Sequence, residues 1–332
     1  MKKRFPTHPI FLITSCPTGL IGDDINSLIS KLNTKDQLLH LPSDGVMGGD
    51  FYSGMLTSCQ LIANKFIDRT INPSNDFVNL IGEQSLATTA NSNFKAINQI
   101  LTALGIKINC RYIRQTSIEE IKNFKKAKVN LPVTNGPTVK SLAAFLDKNF
   151  DTETLQISLP IGFEQTIEFT RTIARRFGKE ALAEKFITEA QITYKKEIEQ
   201  LKPYFAGKKA LINSNGANIE WLHSTLKDLD VEVTKISAFD IFRPEERSLP
   251  KSETNYTVDY IEEVIRLSHP DFILSALPLI AAESVRTLTT TGILCVSFPV
   301  LPHYGFNSGL DYVRELYFKL KIPFIEGWKY DE

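Results

Sequence analysis

The repeated alternation of short apolar runs with amphipathic segments constrains the fold of this chain more than any other feature. Each apolar run leads through a turn rich in Gly, Asn, Ser or Asp into a helical pattern. The predicted strands are residues 10–14, 77–81, 107–114, 128–133, 207–214, 232–236, 271–275 and 292–298. The predicted helices are residues 25–31, 92–104, 117–127, 138–146, 219–229, 256–267 and 281–289, with two more between residues 165 and 205. Continuous apolar strands that alternate with helices indicate an α/β fold of repeated Rossmann-like units, with parallel sheets flanked by helices.

The spacing of these elements predicts three sheet-containing units and one linker. Residues 75–165 form a middle Rossmann-like domain, and residues 206–332 form a C-terminal Rossmann-like domain with a tail. Residues 166–205 contain no strand pattern and are predicted to be a helical linker. Residues 1–74 hold too few elements to close a core, so we expect a partial N-terminal α/β unit that lacks an upstream segment.

Charge and motif content exclude several functional classes. The 38 basic residues balance the 38 acidic residues, so charge gives no argument for a nucleic acid or an anionic membrane as partner. No run approaches the ~20 apolar residues of a membrane helix, and we expect a cytoplasmic protein. The sequence contains neither a P-loop nor a Gly-x-Gly-x-x-Gly fingerprint, so we expect no nucleotide to bind to this chain. The turn at residues 213–218 has one glycine and is predicted to be an ordinary strand–helix connection.

The four cysteines are Cys16, Cys59, Cys110 and Cys295, and they are too widely spaced for a disulfide framework. Three of them lie within apolar patterns. We therefore predict that Cys59, Cys110 and Cys295 are buried core thiols. Cys16 has different surroundings.

Cys16 is placed directly after the first predicted strand, residues 10–14, which we expect to be buried. The following loop contains Pro17 and two glycines, which permit a tight backbone path. A thiolate there would lie in the crevice outside the strand ends, where open α/β sheets bind ligands, and nearby helix N-termini would lower its pKa. Asp23 or Asp24 is expected to cap the next helix.

The segment from Ser15 to Asp24, Ser-Cys-Pro-Thr-Gly-Leu-Ile-Gly-Asp-Asp, resembles the Thr-Cys-x-x-x-x-Ile-Gly-Asp-Asp segment of nitrogenase component 1 subunits. Other stretches match that family in the expected order. They are residues 49–54, 77–83, 100–106, 159–166 (the Pro-x-Gly-x-x-x-Thr turn), 207–212, 269–274 and 292–293. The resemblance spans the chain and implies a nitrogenase component 1-like fold.

The resemblance also implies a function. In that family the matching cysteine ligates an iron–sulfur cluster held between paired subunits, which makes Cys16 the expected cluster ligand. The implied partners are a homologous component 1 subunit and an ATP-dependent iron protein that passes electrons to the cluster. The chain would then be an oxidoreductase subunit or part of a scaffold for nitrogenase cofactor assembly. Asp23, Asp24, Glu83 and His303 are further candidates, for positions around the metal site.

The sequence departs from the family in two respects. Members carry two more cluster cysteines upstream of the position of Cys16, and this chain begins too late to contain them. The stretch that matches the family's active-site cofactor cysteine, residues 129–136, contains no cysteine. Dinitrogen reduction by this chain is therefore not expected, and a partner chain would have to supply the remaining cluster ligands.

Two alternatives remain open at this stage. The chain could be a cluster-free truncated or degenerate paralogue with only a scaffold role. It could also be an unrelated α/β protein that binds an anionic small molecule at the strand ends. Iron bound at Cys16 distinguishes the first hypothesis from both alternatives, and the sequence does not identify the substrate.

Overall fold

The computed structural model describes Arg4 and residues 8–14, 16–32, 37–42, 49–83, 88–214, 219–238, 253–254, 258–276, 293–298 and 302–321. The strands are β1 Ile10–Thr14, β2 Leu38–Pro42, β3 Ser74–Ile81, β4 Lys107–Arg111, β5 Ala127–Pro132, β6 Glu153–Thr154, β7 Lys209–Ser214, β8 Glu232–Ala238, β9 Glu253–Thr254, β10 Phe272–Ser275 and β11 Leu294–Ser297. The helices are α1 Cys16–Ile21, α2 Ile25–Ser30, α3 Phe51–Phe66, α4 Ala90–Ala103, α5 Ile118–Lys122, α6 Pro137–Phe150, α7 Phe163–Phe177, α8 Glu180–Phe205, α9 Glu220–Asp228, α10 Val258–Ser268 and α11 Ser308–Lys321.

The chain forms two compact units. Unit 1 consists of residues 1–86 and 105–157, and unit 2 consists of residues 87–104 and 158–332. Unit 1 holds a two-stranded sheet, β1-β2, and a four-stranded sheet in the order β4-β3-β5-β6. Unit 2 holds a five-stranded sheet in the order β11-β10-β7-β8-β9. Every pairing between these strands is parallel, which confirms the predicted α/β fold.

A chain of asparagine side chains crosses the four-stranded sheet of unit 1. Asn109 on β4 donates through Nδ2 to Oδ1 of Asn79 on β3, at 2.9 Å. Asn79 in turn donates to Oδ1 of Asn130 on β5, at 3.1 Å. The chain ends where Asn130 donates to Asp147 of α6 and to Thr152. Asn79 and Asn130 are fully buried, and because each amide has partners, this polar row can lie inside an apolar core.

The register of β3 and β4 accommodates this chain of amides. Val78 pairs with Ile108, but Asn79 pairs with Cys110, so Asn109 is an extra residue at an irregularity of the ladder. Its amide also donates to the backbone carbonyls of Asn123 and Phe124. A bulge of this kind turns one side chain out of its regular alternation, and here it allows Asn109 to reach Asn79.

The core of unit 1 contains two of the thiols. Cys59 of α3 and Cys110 of β4 are buried in a cluster with Tyr112 and the fully buried Phe124. The Tyr112 hydroxyl donates to the backbone carbonyl of Cys59 at 2.6 Å. Both cysteines therefore occupy the core positions that the sequence predicts.

The first strand forms as predicted, but the prediction that it is buried is wrong. Phe11, Leu12 and Ile13 of β1 are 38%, 37% and 66% exposed. The reason is that, among the described residues, its sheet has two strands, and the core cluster that contains residues of α3 includes Leu39 and Leu41 of β2. The apolar sequence of β1 thus specifies a strand without specifying what covers it.

The loop predicted after β1 is also different, because residues Cys16–Ile21 form the short helix α1. Pro17 occupies its first turn, where a missing backbone N–H costs nothing. Gly22 follows α1 with a φ of +74°, which ends the helix. Among the described elements, the sequence analysis did not identify β2, the two-residue strands β6 and β9, or α11, and it gave no bounds for α3. The predicted helix at residues 281–289 and most of the turn at 213–218 lie outside the described residues.

In unit 2, one face of the sheet is covered by α10. Ile273 of β10 is in register with Leu211 of β7 and with Cys295 of β11. These three residues are buried together with Val264 and Ile265 of α10. Cys295 is therefore a core residue, as predicted.

The Pro-x-Gly-x-x-x-Thr turn forms a tight junction at the start of α7. Gly162 has a φ of +90°, and a Cβ atom there would lie 2.8 Å from Cβ of Trp221 on α9. The N–H of Gly162 donates to Oγ of Ser308 on α11 at 2.8 Å, and its carbonyl accepts from the Thr166 hydroxyl. Backbone conformation and close packing thus both require glycine at this position.

We predict that Asn79→Leu lowers the free energy of unfolding by about 1–3 kcal/mol, because Oδ1 of Asn130 loses its donor in a fully buried position. The measurement is the urea unfolding midpoint. The control is Asn64→Ala, at an exposed position on α3, which should stay within about 0.5 kcal/mol of wild type. Equal effects of the two substitutions would contradict a structural role for the amide chain.

We predict that Gly162→Ala destabilises the chain more than Gly178→Ala. Both glycines have positive φ, so each substitution carries a backbone cost of about 1–2 kcal/mol. Only Gly162 is crowded, and the clash with Trp221 adds about 1–3 kcal/mol. A Cβ at Gly178 meets nothing within 4 Å. Thermal unfolding of the two variants side by side tests the difference.

Candidate functional site

Cys16 is the first residue of α1 and lies just beyond the carboxyl end of β1. Its side chain is a free thiol of intermediate exposure, in contrast to the three buried cysteines. The strand brings the chain to the edge of the small sheet, and α1 then turns it away. The thiol is therefore accessible at the edge where parallel sheets present their ligand-binding groups.

The apolar residues beside Cys16 are exposed. Ile13 precedes it on β1 with 66% of its surface exposed, and Leu20 and Ile21 of α1 are 63% and 75% exposed. Scattered exposed apolar residues are normal, but here three of them lie within nine residues of chain, on both sides of Cys16 in the sequence. We call Ile13, Leu20 and Ile21 the apolar ledge.

Asp24 is the N-cap of α2, as the sequence allows. Its Oδ1 accepts from the backbone N–H of Ser27 at 2.9 Å. Asp23 is exposed, and its backbone N–H donates to the carbonyl of Thr18 in a turn that joins α1 to α2. The two aspartates thus share one short segment with Cys16, and a role beside a metal site stays a prediction for both.

The other thiols are unsuited to a shared exposed site. Burial raises the pKa of Cys59 to about 11 and the pKa of Cys110 to about 12. Cys295 is 7% exposed and belongs to the core of unit 2. A thiol must ionise before it binds a metal, so burial of this kind opposes ligation.

The fit of an iron–sulfur cluster can be tested against these positions. Such a cluster needs about four protein ligands, mainly thiolates. Within the described residues, no three His, Cys, Asp or Glu side chains lie close enough together to hold a metal ion. The described residues of this chain therefore do not make a complete cluster site, and Cys16 fits only as a single ligand.

Glu83 lies beyond the carboxyl end of β3, next to two arginines. Its carboxylate forms an ion pair with Arg111, which donates through Nε and Nη2 to the two oxygens, and a second ion pair with Arg114. The three side chains are only 7%, 11% and 12% exposed. Removal of one of these side chains would leave a buried charge without its counter-ion, which is costly. Glu83 therefore stabilises the fold of unit 1 at this position.

The sequence did not point to Arg111 and Arg114. Arg111 ends β4, and Arg114 follows a turn in which Ile113 has a φ of +65°. Positive φ is rare for a β-branched residue and marks a strained turn. The sequence signal that could have identified them is the presence of two arginines at the end of the predicted strand 107–114. Their association with Glu83 depends on the pairing of β3 with β4, which the sequence does not show directly.

Residues 129–136, which match the family's cofactor-cysteine stretch but contain no cysteine, also lie in unit 1 and include the carboxyl end of β5. Thr134 follows that strand and donates its hydroxyl to the carbonyl of Gly82, just after β3. β3 and β5 are neighbours in the sheet. The connection after β3 leads to β4 on one side, and the connection after β5 leads to β6 on the other side. Ligands of open α/β sheets bind at such a switch point, and here it is flanked by Glu83 and Thr134.

His303 belongs to unit 2, whereas Cys16, Asp23, Asp24 and Glu83 belong to unit 1. Within unit 1, Glu83 follows the four-stranded sheet and Cys16 follows the two-stranded sheet. His303 is exposed, and its Nδ1 is 2.9 Å from the hydroxyl of Ser92 on α4. Ser92 has no motif of its own, and it is 211 residues away in sequence, so sequence reasoning missed this contact.

Comparison with known proteins adds family information to this geometry. A family model described as nitrogenase component 1 type oxidoreductase matches residues 1–321. The nitrogenase molybdenum-iron protein alpha chain of Methanothermobacter thermautotrophicus is 24% identical, over 97% of this chain and 70% of that protein. The nitrogenase iron-molybdenum cofactor biosynthesis protein NifE of Clostridium pasteurianum is 27% identical, over 63% of this chain and 46% of that protein. This second alignment thus spans less than half the length of its relative.

A solved structure shares the fold. It is entitled "Nitrogenase Cp1 at pH 5" and superposes with a TM-score of 0.71, over 99% of this chain and 73% of that chain, at 16% sequence identity. Identity this low supports the fold alone. None of the described helices is long and apolar enough to cross a membrane.

We predict that only one of the four thiols reacts rapidly with Ellman's reagent in the folded chain, and that Cys16→Ala removes this fast phase. At pH 8 a thiol with a pKa of about 11 is ionised to about one part in a thousand, which makes Cys59 and Cys110 slow. Stopped-flow absorbance counts the fast thiols, and the denatured chain should show all four. Two or more fast thiols in the folded chain would contradict the structural assignment of the cysteines.

Proposed function

Because the chain belongs to the nitrogenase component 1 type oxidoreductases, we propose that it is one subunit of a component 1-like complex in which Cys16 provides one ligand to an iron–sulfur cluster at a subunit interface. A homologous component 1 subunit supplies the other side of that interface. The complex accepts electrons from an ATP-dependent iron protein. It acts in the cytoplasm, either in substrate reduction or in nitrogenase cofactor assembly.

The accessibility of Cys16 is the observation that carries this proposal. It is the one cysteine of the chain outside the core, and it lies at the carboxyl end of a strand. The apolar ledge beside it would lose its exposed surface to a partner chain. Burial of about 25 cal/mol per Å² of apolar surface favours such an association. A thiol and an apolar surface at the same place are what a ligand shared between two subunits requires.

The need for a partner chain follows from the ligand count. Cys16 is one ligand, and Cys59, Cys110 and Cys295 are committed to the two cores. About three further ligands must then come from outside the residues described here. In this arrangement the protein holds and orients the cluster, while the redox chemistry belongs to the metal.

The absence of a P-loop motif from the sequence agrees with a separate protein that hydrolyses ATP. The relatives include both a nitrogenase molybdenum-iron protein alpha chain and a cofactor biosynthesis protein, so both roles remain within the proposal. Residues 129–136 contain no cysteine, which argues against dinitrogen as the substrate of this chain. We further propose that Asp23, Asp24 and Glu83, which belong to the same unit as Cys16, adjust the electrostatics near the metal rather than bind it.

The test is the amount of iron and acid-labile sulfide per chain after anaerobic purification from cells that co-express the neighbouring genes. We expect wild type to contain both, and Cys16→Ala to lose most of both while it keeps its circular dichroism spectrum. Cys295→Ala is the matched control, because it removes a buried thiol from the core of unit 2 and should keep its iron.

Each other outcome has a distinct meaning. Iron retained in Cys16→Ala would rule out Cys16 as a ligand. A folded wild type without iron, in the presence of the homologous subunit, would overturn the cluster hypothesis and favour the cluster-free scaffold. Loss of iron in Cys295→Ala as well would indicate general unfolding, which the spectrum of each variant reveals.

A further inference from the structure

His40 lies in the middle of β2 and forms hydrogen bonds through both of its ring nitrogens. Its Nε2 is 3.0 Å from the hydroxyl oxygen of Thr14, the last residue of β1. Its Nδ1 is 3.2 Å from Oδ1 of Asn26 on α2. Leu12 of β1 is in register with His40, so Thr14, two residues further along, points to the same face of the sheet. One imidazole ring on that face therefore connects β1, β2 and α2.

The two partners of His40 define the direction of each hydrogen bond. Oδ1 of Asn26 is an amide oxygen and only accepts, so Nδ1 of His40 carries the proton and donates it. A neutral imidazole has one N–H, and Nε2 therefore accepts from the hydroxyl of Thr14. Both nitrogens are used in this way. The ring is held in one orientation, and neither nitrogen is left to bind a metal.

The residues that His40 binds stand on either side of Cys16 in the sequence. Thr14 is two residues before Cys16, and Asn26 is ten residues after it. We call residues 14–26 the Cys16 segment. Both ends of this segment are bound to the same side chain of the neighbouring strand, so the position of the segment on the small sheet depends on that side chain.

Packing contributes little to the position of the Cys16 segment. α2 is described throughout, and none of its residues is buried. Leu20 and Ile21 of α1 are exposed as well. The backbone N–H of Asp23 donates to the carbonyl of Thr18, but this bond lies within the segment and does not attach it to the sheet. Where few apolar contacts are buried, a chain segment opens easily, and polar bonds to the sheet then determine its position.

We propose that His40 is a positioning residue for Cys16, which holds the Cys16 segment on the β1-β2 sheet through Thr14 and Asn26. The inference rests on the proposed function, because the position of the thiol matters only if the thiol is a ligand. A ligand that two subunits share must be held within about 0.5 Å of its working geometry. His40 provides this constraint through its hydrogen bonds and does not itself bind the cluster.

The first experiment measures the mobility of the segment in the full-length chain without a cluster. A nitroxide label is attached to Cys16, and its electron paramagnetic resonance spectrum is recorded. We expect an immobilised component in wild type that His40→Leu and Thr14→Val both lose, since each removes a bond of the imidazole. Thr14→Ser keeps the hydroxyl and should restore the component. Asn64→Ala, at an exposed position on α3, is the control and should match wild type.

The second experiment measures the reduction potential of the cluster in the complex with the homologous subunit. Both His40→Leu and Thr14→Val should keep their iron and shift the potential in the same direction, because a displaced thiolate changes the charge around the metal. Thr14→Ser should have the wild-type potential. A substitution that only destabilised the fold would lower the unfolding midpoint without this shift.

The outcomes separate the role of His40 from the proposed function. A label that is mobile in wild type, or that is equally immobilised in His40→Leu and Thr14→Val, would overturn the positioning role whether or not the chain binds iron. An unchanged potential with iron retained would overturn it as well. Loss of iron in His40→Leu but not in Thr14→Val would make His40 a ligand instead. A wild type without iron contradicts only the proposed function and leaves the spectra of the labelled chain to decide the role of His40.

Discussion

The amide chain Asn109–Asn79–Asn130 is the interaction on which the order of unit 1 depends. Apolar side chains alone would tolerate a slip between neighbouring strands, since Val, Ile and Leu can replace one another in a core. A buried amide cannot move without leaving a donor or acceptor unpaired. The three side chains thus hold β4, β3 and β5 in one register, and this aligns the strand ends beyond which Glu83 and Thr134 lie.

Cys16 lies in a part of the chain that is stabilised differently from the four-stranded sheet. β1 and β2 form a sheet of two strands, and two-stranded sheets have little stability of their own. Burial stabilises the thiols of Cys59 and Cys110 in their protonated form, whereas the thiol of Cys16 is partly exposed. The family motif is therefore concentrated where the described chain contributes least to its own core. A surface that serves a partner has this character, because its stabilising contacts are completed by that partner.

The sequence predicted the elements whose apolar pattern is local and continuous. β1 has the predicted bounds, and β3, β5 and β7 lie within a few residues of the predicted strands. β2 was missed because its five residues include a histidine and a proline, which mask its strand pattern. The contacts of the candidate site were less accessible to prediction. Glu83 with Arg111, and Ser92 with His303, join residues that only the completed fold brings together, so no local pattern reveals them.

The discontinuous composition of unit 2 has a consequence for synthesis of the chain on the ribosome. α4 is made early, but Asn93 on it binds Pro302 and Tyr304, which are 209 and 211 residues later. At about 5–20 residues per second, α4 waits roughly 10–40 s for these partners. During that interval its apolar face must be shielded by transient contacts or by a chaperone. Premature termination anywhere before residue 302 would release a chain whose second unit cannot close.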